Sequence, residues 1–277
     1  MACRDCITGA LHAGTPVGRV ETVHGLPTYI SEPPEGQSPK GIIVIISDAL
    51  GWELNNSRIL ADTYARRMNS RVYLPDFMDG HWMSSSLFAN MDTITGNGSV
   101  FGKILPMLQV VSAFIPFLYY NRLAVSKPKV FKFFHELRTN EAASLPVGAA
   151  GFCWGGKFVF LLCHDSEKAA NGKSLIDAGF TAHPSNLAIP DDANLVTLPL
   201  SVSIGDVDIA LPLKQVQQTK EILEKKDAEK FEVVILPGAV HGFAVRAKPG
   251  DEKGIEQGKQ AEDQAVGWYT KRFEKLS

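Results

Sequence analysis

The stretch that most constrains this chain is Leu145 to Cys163, LPVGAAGFCWGGKFVFLLC, an apolar run broken sharply at Gly151-Phe152-Cys153-Trp154-Gly155. Pro146 to Phe152 reads as a buried strand and Lys157 to Cys163 as an apolar helix, which puts Gly-x-Cys-x-Gly on a strand-to-helix turn. Such a turn strains the backbone of its central residue, and larger side chains at the flanking positions would collide with the strand and the helix. The thiol of Cys153 is then pushed out at the end of a sheet. It also sits at a helix N-terminus, where unpaired amides and the positive end of the dipole favour thiolate over thiol. A free cysteine also packs well as a small hydrophobe. That reading suits Cys163, inside the apolar helix; the glycines around Cys153 argue for a nucleophile there.

The rest of the chain supplies a sheet for this turn. Gly41-Ile42-Ile43-Val44-Ile45-Ile46 follows a proline-containing surface loop, Ser31 to Lys40, and its five β-branched residues in a row read as a central parallel strand buried on both faces. It ends in Ser47-Asp48-Ala49-Leu50-Gly51-Trp52, a loop at the carboxyl end of a strand, where open α/β sheets place their sites. Next come a helix over Asn55 to Met68 and a strand over Arg71 to Pro75. After the central turn the pattern continues with strands at Gly179 to Ala182, Leu198 to Ile204 and Phe231 to Leu236, a helix over Leu213 to Lys226, and a closing helix from about Ile255 to Lys275. Val20 to Ile30 alternates around Gly25 and Pro27 as a hairpin at a sheet edge. The expected fold is α/β, a mostly parallel central sheet with helices on both faces. Residues 1–17 read as an arm and 18–277 as a single domain, a length suited to one large α/β unit.

One segment interrupts the alternation, Asp76 to Lys127. Its second half, Ile104 to Tyr120, has no charged residue. Pro106, Gln109 and Pro116 break it, and it falls short of the roughly 20 residues a membrane span needs. Short helices inserted near 100–125 are therefore expected, serving either as a lid or wall over an apolar pocket or as plain core packing, with no membrane.

Apolar residues make up 45 % and charged residues 21 %, with a net charge of −2, so neither nucleic acid nor an anionic membrane is the expected partner. A small molecule is. Four cysteines are too few for a disulfide framework in 277 residues, which points to a reducing, cytoplasmic setting. Cys3-x-x-Cys6 resembles half a zinc site, but no second pair of ligands lies nearby, so it reads as a loose tail and no metal is expected. The start, MACRDCITGA, lacks an apolar signal core, and the final Lys275-Leu276-Ser277 is not a peroxisomal Ser-Lys-Leu.

A sulfur nucleophile needs a base to take its proton and a third group to orient the base. Among His12, His24, His81, His135, His164, His183 and His241, the last stands out. Leu236-Pro237-Gly238-Ala239-Val240-His241-Gly242-Phe243 places it in a loop directly after the last strand. The loop after the preceding strand, Ile204-Gly205-Asp206-Val207-Asp208, offers two carboxylates; Asp208 is placed to reach the histidine and Asp206 to cap the turn. The order Cys153, Asp208, His241 is the nucleophile, acid, base order of α/β hydrolases. His135 and His164 lie on helices. His183, in Thr181-Ala182-His183-Pro184-Ser185, reads equally as a pocket residue or a structural histidine.

Gly151-Phe152-Cys153-Trp154-Gly155-Gly156, Gly205-Asp206-Val207-Asp208 and His241-Gly242-Phe243-Ala244-x-Arg246 together resemble the motifs of the dienelactone hydrolase family, in particular its eukaryotic, fungal-like branch, from about Gly18 to the C-terminus. The resemblance implies an α/β-hydrolase fold and a Cys153, His241, Asp208 triad. It implies hydrolysis of a lactone or activated ester through a thioester, with no metal or other cofactor. It places Asp48 where the family has a carboxylate that holds the resting thiol, a glutamate in bacterial members, and Arg246 where an arginine binds a substrate carboxylate. The backbone amides of Trp154 and of Ala49 or Leu50 would form the oxyanion hole. Val72 to Gly102 contains no lysine or arginine for a second clamp, leaving His81 for that place. Trp52 and Phe243, in the loops carrying Asp48 and His241, complete the expected substrate contacts. The substrate suggested is a larger, greasier lactone or ester of aromatic degradation or polyketide metabolism, handled by a monomer or homodimer. Competing readings are acyl transfer or carbon–carbon cleavage on the same triad, and a non-catalytic binding scaffold.

Overall fold

A computed structural model describes residues 9–10, 12–95 and 97–276. The Cys3 and Cys6 pair lies outside the described residues. Five β-branched residues with no polar face form strand β3, Ile42–Ile46, and the sheet buries all five. Around it stand β1 (Arg19–Val23), β2 (Leu26–Ser31), β4 (Arg71–Pro75), β5 (Val147–Phe152), β6 (Ala178–Ala182), β7 (Leu200–Gly205) and β8 (Phe231–Leu236), in the order β1-β2-β4-β3-β5-β6-β7-β8. The β1-β2 hairpin is antiparallel to itself and to β4, as an edge hairpin must be, and every other pairing is parallel. The carboxyl ends of β3, β5, β6, β7 and β8 consequently share one edge of the sheet, and the loops that leave them meet there.

Helices α1 (Asn55–Met68) and α9 (Glu252–Glu274) pack together over one face, while α4 (Leu123–Thr139), α5 (Trp154–Cys163), α6 (Asp191–Leu195) and α7 (Leu213–Lys226) form a continuous layer over the other. α2 (Leu87–Thr95), α3 (Val100–Tyr120) and the short α8 (Phe243–Arg246) complete the set. The small residues of β5 let the layers close in. At Gly148 a Cβ would stand 2.4 Å from the ring of Tyr269 on α9, and the Tyr269 hydroxyl donates to the carbonyl of Ala149 at 2.7 Å. α5 starts at Trp154, three residues before the expected Lys157, because the turn passes into the helix without a linking residue. Residues 10 and 12–17 run along α1, held where the Asn56 side chain bonds Ala10 and His12 and where Asp62 accepts from Val17.

The insertion departs from expectation. Residues 100–120 are one helix of 21 residues rather than short pieces, capped where the Ser99 hydroxyl accepts from the amide of Gly102. Pro106 and Pro116 each remove one backbone donor without ending it. It is long and apolar enough to cross a membrane by length and composition, against the sequence expectation of a shorter stretch, and only 11 % of it is buried. Plain core packing is excluded by that exposure. What packs inward is Phe114 and Phe117. α4 likewise runs through Pro128 and buries Val130, Phe131, Phe133, Phe134 and Leu137.

We predict that Gly148→Ala lowers stability by about 1–3 kcal/mol, the usual cost of overpacking a filled core. Tyr269 is fully buried and has nowhere to retreat. Denaturant unfolding of the two proteins measures it, and an unchanged midpoint would show that α9 stands off the sheet.

Candidate active site

Cys153 joins β5 to α5 with φ 51° and ψ −112°, a conformation that L side chains avoid. What imposes it is the approach of α5 to the end of β3. A Cβ at Gly155 would lie 2.0 Å from the carbonyl oxygen of Ile46, so this contact demands glycine. The strained residue is tied on both sides, its amide donating to Ala182 at 3.3 Å and its carbonyl accepting from the amide of Ser185 at 2.9 Å. The Ser185 hydroxyl lies 3.8 Å from the sulfur.

The loops after β7 and β8 bring in the partners. His241 Nδ1 stands 2.9 Å and 3.0 Å from the two carboxylate oxygens of Asp208, both side chains fully buried. Asp208 also accepts from the amide of Ala210 at 2.8 Å. Against the sequence expectation, Asp206 does not cap its own turn; it accepts from the amide of Gly238 at 2.6 Å and ties the two loops together, while Asp208 caps the turn through Ala210. Cys153 stands close enough to His241 for its charge to act on the ring. Burial by itself would lower the His241 pKa, but the charges and hydrogen bonds of Cys153 and Asp208 outweigh it and hold the ring well above its ordinary value. The fold therefore brings sulfur, imidazole and carboxylate together at one edge of the sheet, with the imidazole bonded to the carboxylate.

Behind them lies a buried ion pair, Asp48 with Arg246 Nε at 2.9 Å. Burial pushes Asp48 up to about 6; Arg246 opposes this and the nearby Cys153 adds to it. Arg246 is 3 % exposed and does not line the cavity at the thiol, which corrects its expected role as a substrate clamp. Its guanidinium is committed to Asp48. Asp48 in turn accepts from the amide of Leu50 at 3.0 Å, so its two oxygens serve Leu50 and Arg246. That bond also spends the Leu50 donor and leaves Ala49, which borders the cavity with Cys153 and Trp154, as the early-loop candidate for an oxyanion. The amide of Trp154, in the first turn of α5, has no helical acceptor.

His183 is buried completely, its ring centre 5.0 Å from that of His241 and 5.5 Å from that of Phe243. Burial, then the positive charges of His241 and Arg246, lower its pKa well below the ordinary value. It is thus a neutral wall behind the base and no direct substrate contact. Phe243 belongs to the same wall. His81 stacks on Tyr120 with ring centres 3.7 Å apart, and Trp52 packs on Arg58 and Trp82. Neither reaches the cavity, which corrects their expected roles as substrate contacts.

The cavity holds about 430 Å³ and is bordered by Phe114, Phe117 and Leu118 of α3, by Ile209, Ala210 and Pro212 after β7, and by Ser185, Asn186 and Gln215. α3 is thus a wall of the pocket, one of the two roles read from its sequence. Ser185 and Gln215 escaped the sequence reading. Ser185 lies two residues from His183 and carried a signal only as part of a loop after a strand; Gln215 lies inside a regular amphipathic helix and carried none.

Comparison with known proteins agrees with this geometry. The profile of the dienelactone hydrolase family matches residues 113–276. Among curated relatives, Hydrolase pyvD of Aspergillus violaceofuscus is 27 % identical over 270 residues, covering 98 % of this chain and 96 % of the relative. Dienlactone hydrolase 1 of Gibberella moniliformis is 20 % identical, covering 89 % and 84 %. Among solved structures, a putative dienelactone hydrolase of Klebsiella pneumoniae superposes with a TM-score of 0.63 at 16 % identity, over 88 % of this chain and 92 % of that one. That likeness bears on the fold.

Because folding raises the Asp48 pKa, the stability linked to its neutral form is fully present below the unfolded value near 3.8 and is lost as pH rises through about 6. Asp48→Asn removes this dependence. The thermal midpoint of wild type relative to Asp48→Asn is therefore expected to fall between about pH 4 and 6, and a pH-independent difference would show that Asp48 does not titrate there.

Proposed function

This chain belongs to the dienelactone hydrolase family, and from that membership we propose that it hydrolyses a neutral lactone or activated ester through a thioester on Cys153. The observation that carries the reading is the buried Asp208–His241 pair close to Cys153, which borders an apolar cavity. In the proposed sequence the thiolate attacks the substrate carbonyl and forms a carbon–sulfur bond, and the carbonyl electron pair moves onto oxygen. The amides of Trp154 and Ala49 stabilise that oxyanion, a contribution commonly worth about 3 kcal/mol per donor. The tetrahedral intermediate collapses, and protonated His241 gives its proton to the leaving alkoxide. The now neutral imidazole takes a proton from water, the hydroxide attacks the thioester, and the thiolate leaves with the ion pair to His241 restored. Asp208 keeps Nδ1 protonated so that the other nitrogen does this work. A lactone holds its leaving group tethered, so attack by water competes with ring closure.

The lining argues for the substrate class. Apart from Cys153, none of the described residues that border the cavity is ionisable, and Arg246 is engaged by Asp48. A substrate carboxylate would enter without a counter-charge, at a cost of several kcal/mol. Phe114, Phe117, Leu118, Ile209 and Pro212 suit an aromatic or alkyl body, and Ser185, Asn186 and Gln215 suit its hydroxyl or carbonyl groups. A lactone or ester of aromatic or polyketide metabolism has this character. Relatives named dienlactone hydrolase and carboxymethylenebutenolidase homolog support lactone chemistry.

Exposure to an activated aryl ester should leave an acyl adduct on Cys153 by mass spectrometry, and Cys153→Ala and His241→Ala should each reduce kcat by about 10³-fold or more. Neutral lactones should exceed their carboxylate-bearing analogues in kcat/KM by at least about tenfold. Turnover that survives Cys153→Ala, or acylation confined to Cys163, would defeat the mechanism; preference for the acidic analogue would defeat the substrate class alone.

A further inference from the structure

α3 has a second face that the cavity does not use. Its inner side sets Val110, Ala113, Phe114 and Phe117 against the body of the protein. Its outer side carries Phe101, Leu108 and Ile115 in steps of seven, with Ile104, Val111 and Leu118 in the same steps offset by three. These six are between 47 % and 85 % exposed. Two apolar series three and four residues apart over nearly three heptads make the narrow seam by which one helix packs on another, distinct from the broad stripe that faces a core. Leu105 and Tyr119 flank it, also exposed. At the areas typical of such side chains the outer face leaves on the order of 1,000 Å² of apolar surface in water. That exceeds the roughly 300–600 Å² of the largest patch on an ordinary monomer and matches the roughly 800 Å² per partner of a stable interface.

We propose that this face is covered by the same face of a second copy of the chain, the two α3 helices packing antiparallel about a two-fold axis. The antiparallel sense follows from charge. Arg122, exposed just past the C-terminal end of α3, lies near one end of the seam, and a parallel pair would bring the two guanidinium groups to the same end; the antiparallel pair separates them and opposes the helix dipoles. Only one register aligns both series. It sets Phe101 against Leu118 of the partner subunit, Ile104 against Ile115 of the partner subunit and Leu108 against Val111 of the partner subunit. A lipid bilayer is the less suitable occupant. Insertion of α3 across it would pull Phe114 and Phe117 out of the cavity wall and break the bond from Trp154 Nε1 to the carbonyl of Asn121. Because Leu118 belongs to both seam and cavity, the partner also braces the wall of the pocket.

Sedimentation of the full chain tests the proposal without any activity assay. Wild type should be a dimer at micromolar concentration, and Leu108→Glu should weaken association at least about 100-fold with unchanged circular dichroism, since the side chain is exposed in the single chain. Ile104→Lys and Ile115→Glu should each be monomeric alone and form a mixed dimer when combined, because that register faces one with the other. The proposal is overturned by a wild type that is monomeric at about 100 µM, by a dimer insensitive to Leu108→Glu, or by a mixture that stays monomeric. It is equally overturned by heterogeneous aggregation, or by monomeric wild type that floats with phosphatidylcholine vesicles, which would identify a membrane as the occupant.

Discussion

The site depends on one contact, the approach of α5 to the carboxyl end of β3 at Gly155. Without a side chain there, the helix comes down onto the carbonyl of Ile46, and the only way for the chain to enter it from β5 is through a residue with positive φ. Holding Cys153 in that state costs of the order of 1–3 kcal/mol. The cost is offset because the surroundings leave no alternative: β5 is buried along its whole length, α5 is buried on most of its surface, and the Cys153 peptide is bonded to the loop after β6 on both sides. The strain thus does for function what a relaxed turn would not. It sets the sulfur, buried but bordering the cavity, beside the loops of four other strands.

Those loops bring buried charge, and their arrangement sets the chemistry. Two acid–base pairs, Asp208 with His241 and Asp48 with Arg246, lie within the same few ångströms of protein, fully removed from water. Buried pairs of this kind rarely stabilise a fold, since desolvation takes back most of the attraction. Their effect is to fix which groups are charged. Sulfur and carboxylate raise the His241 pKa against its burial, while burial and the charges of His241 and Arg246 lower that of His183. The two neighbouring rings are thereby driven apart, His241 toward its charged form and His183 toward its neutral one.

α3, outside the strand–helix alternation, shapes the pocket. Its inner residues put hydrocarbon on the cavity wall, while Arg246 is turned to Asp48. The same helix projects an apolar seam outward. Pocket wall and surface seam are two sides of one rigid element, so whatever covers the outside also limits how far the inside moves.

Much of this was legible in the amino-acid order because it rests on local patterns. Asn55–Met68, Arg71–Pro75, Leu213–Lys226 and Phe231–Leu236 form over the residues expected of them, since period and flanking turn residues are properties of a few neighbours in the chain. Cys153, Asp208 and His241 could be picked out because each follows a strand, and parallel strands bring such loops to one edge. What local pattern did not decide was the use of groups that find partners across the fold. Arg246 went to Asp48 instead of the pocket, and the amide of Leu50 went to the Asp48 side chain. His81 and Trp52 stacked elsewhere, and α3 ran through two prolines because packing on α2 and over the cavity favours a continuous helix. Sequence by itself determined the sheet and the strand-to-helix turn, and singled out three groups that the fold brings to one edge. Tertiary structure alone decided which other polar groups remain available to a substrate, because that is settled by which buried charge lies nearest and not by which residue comes next.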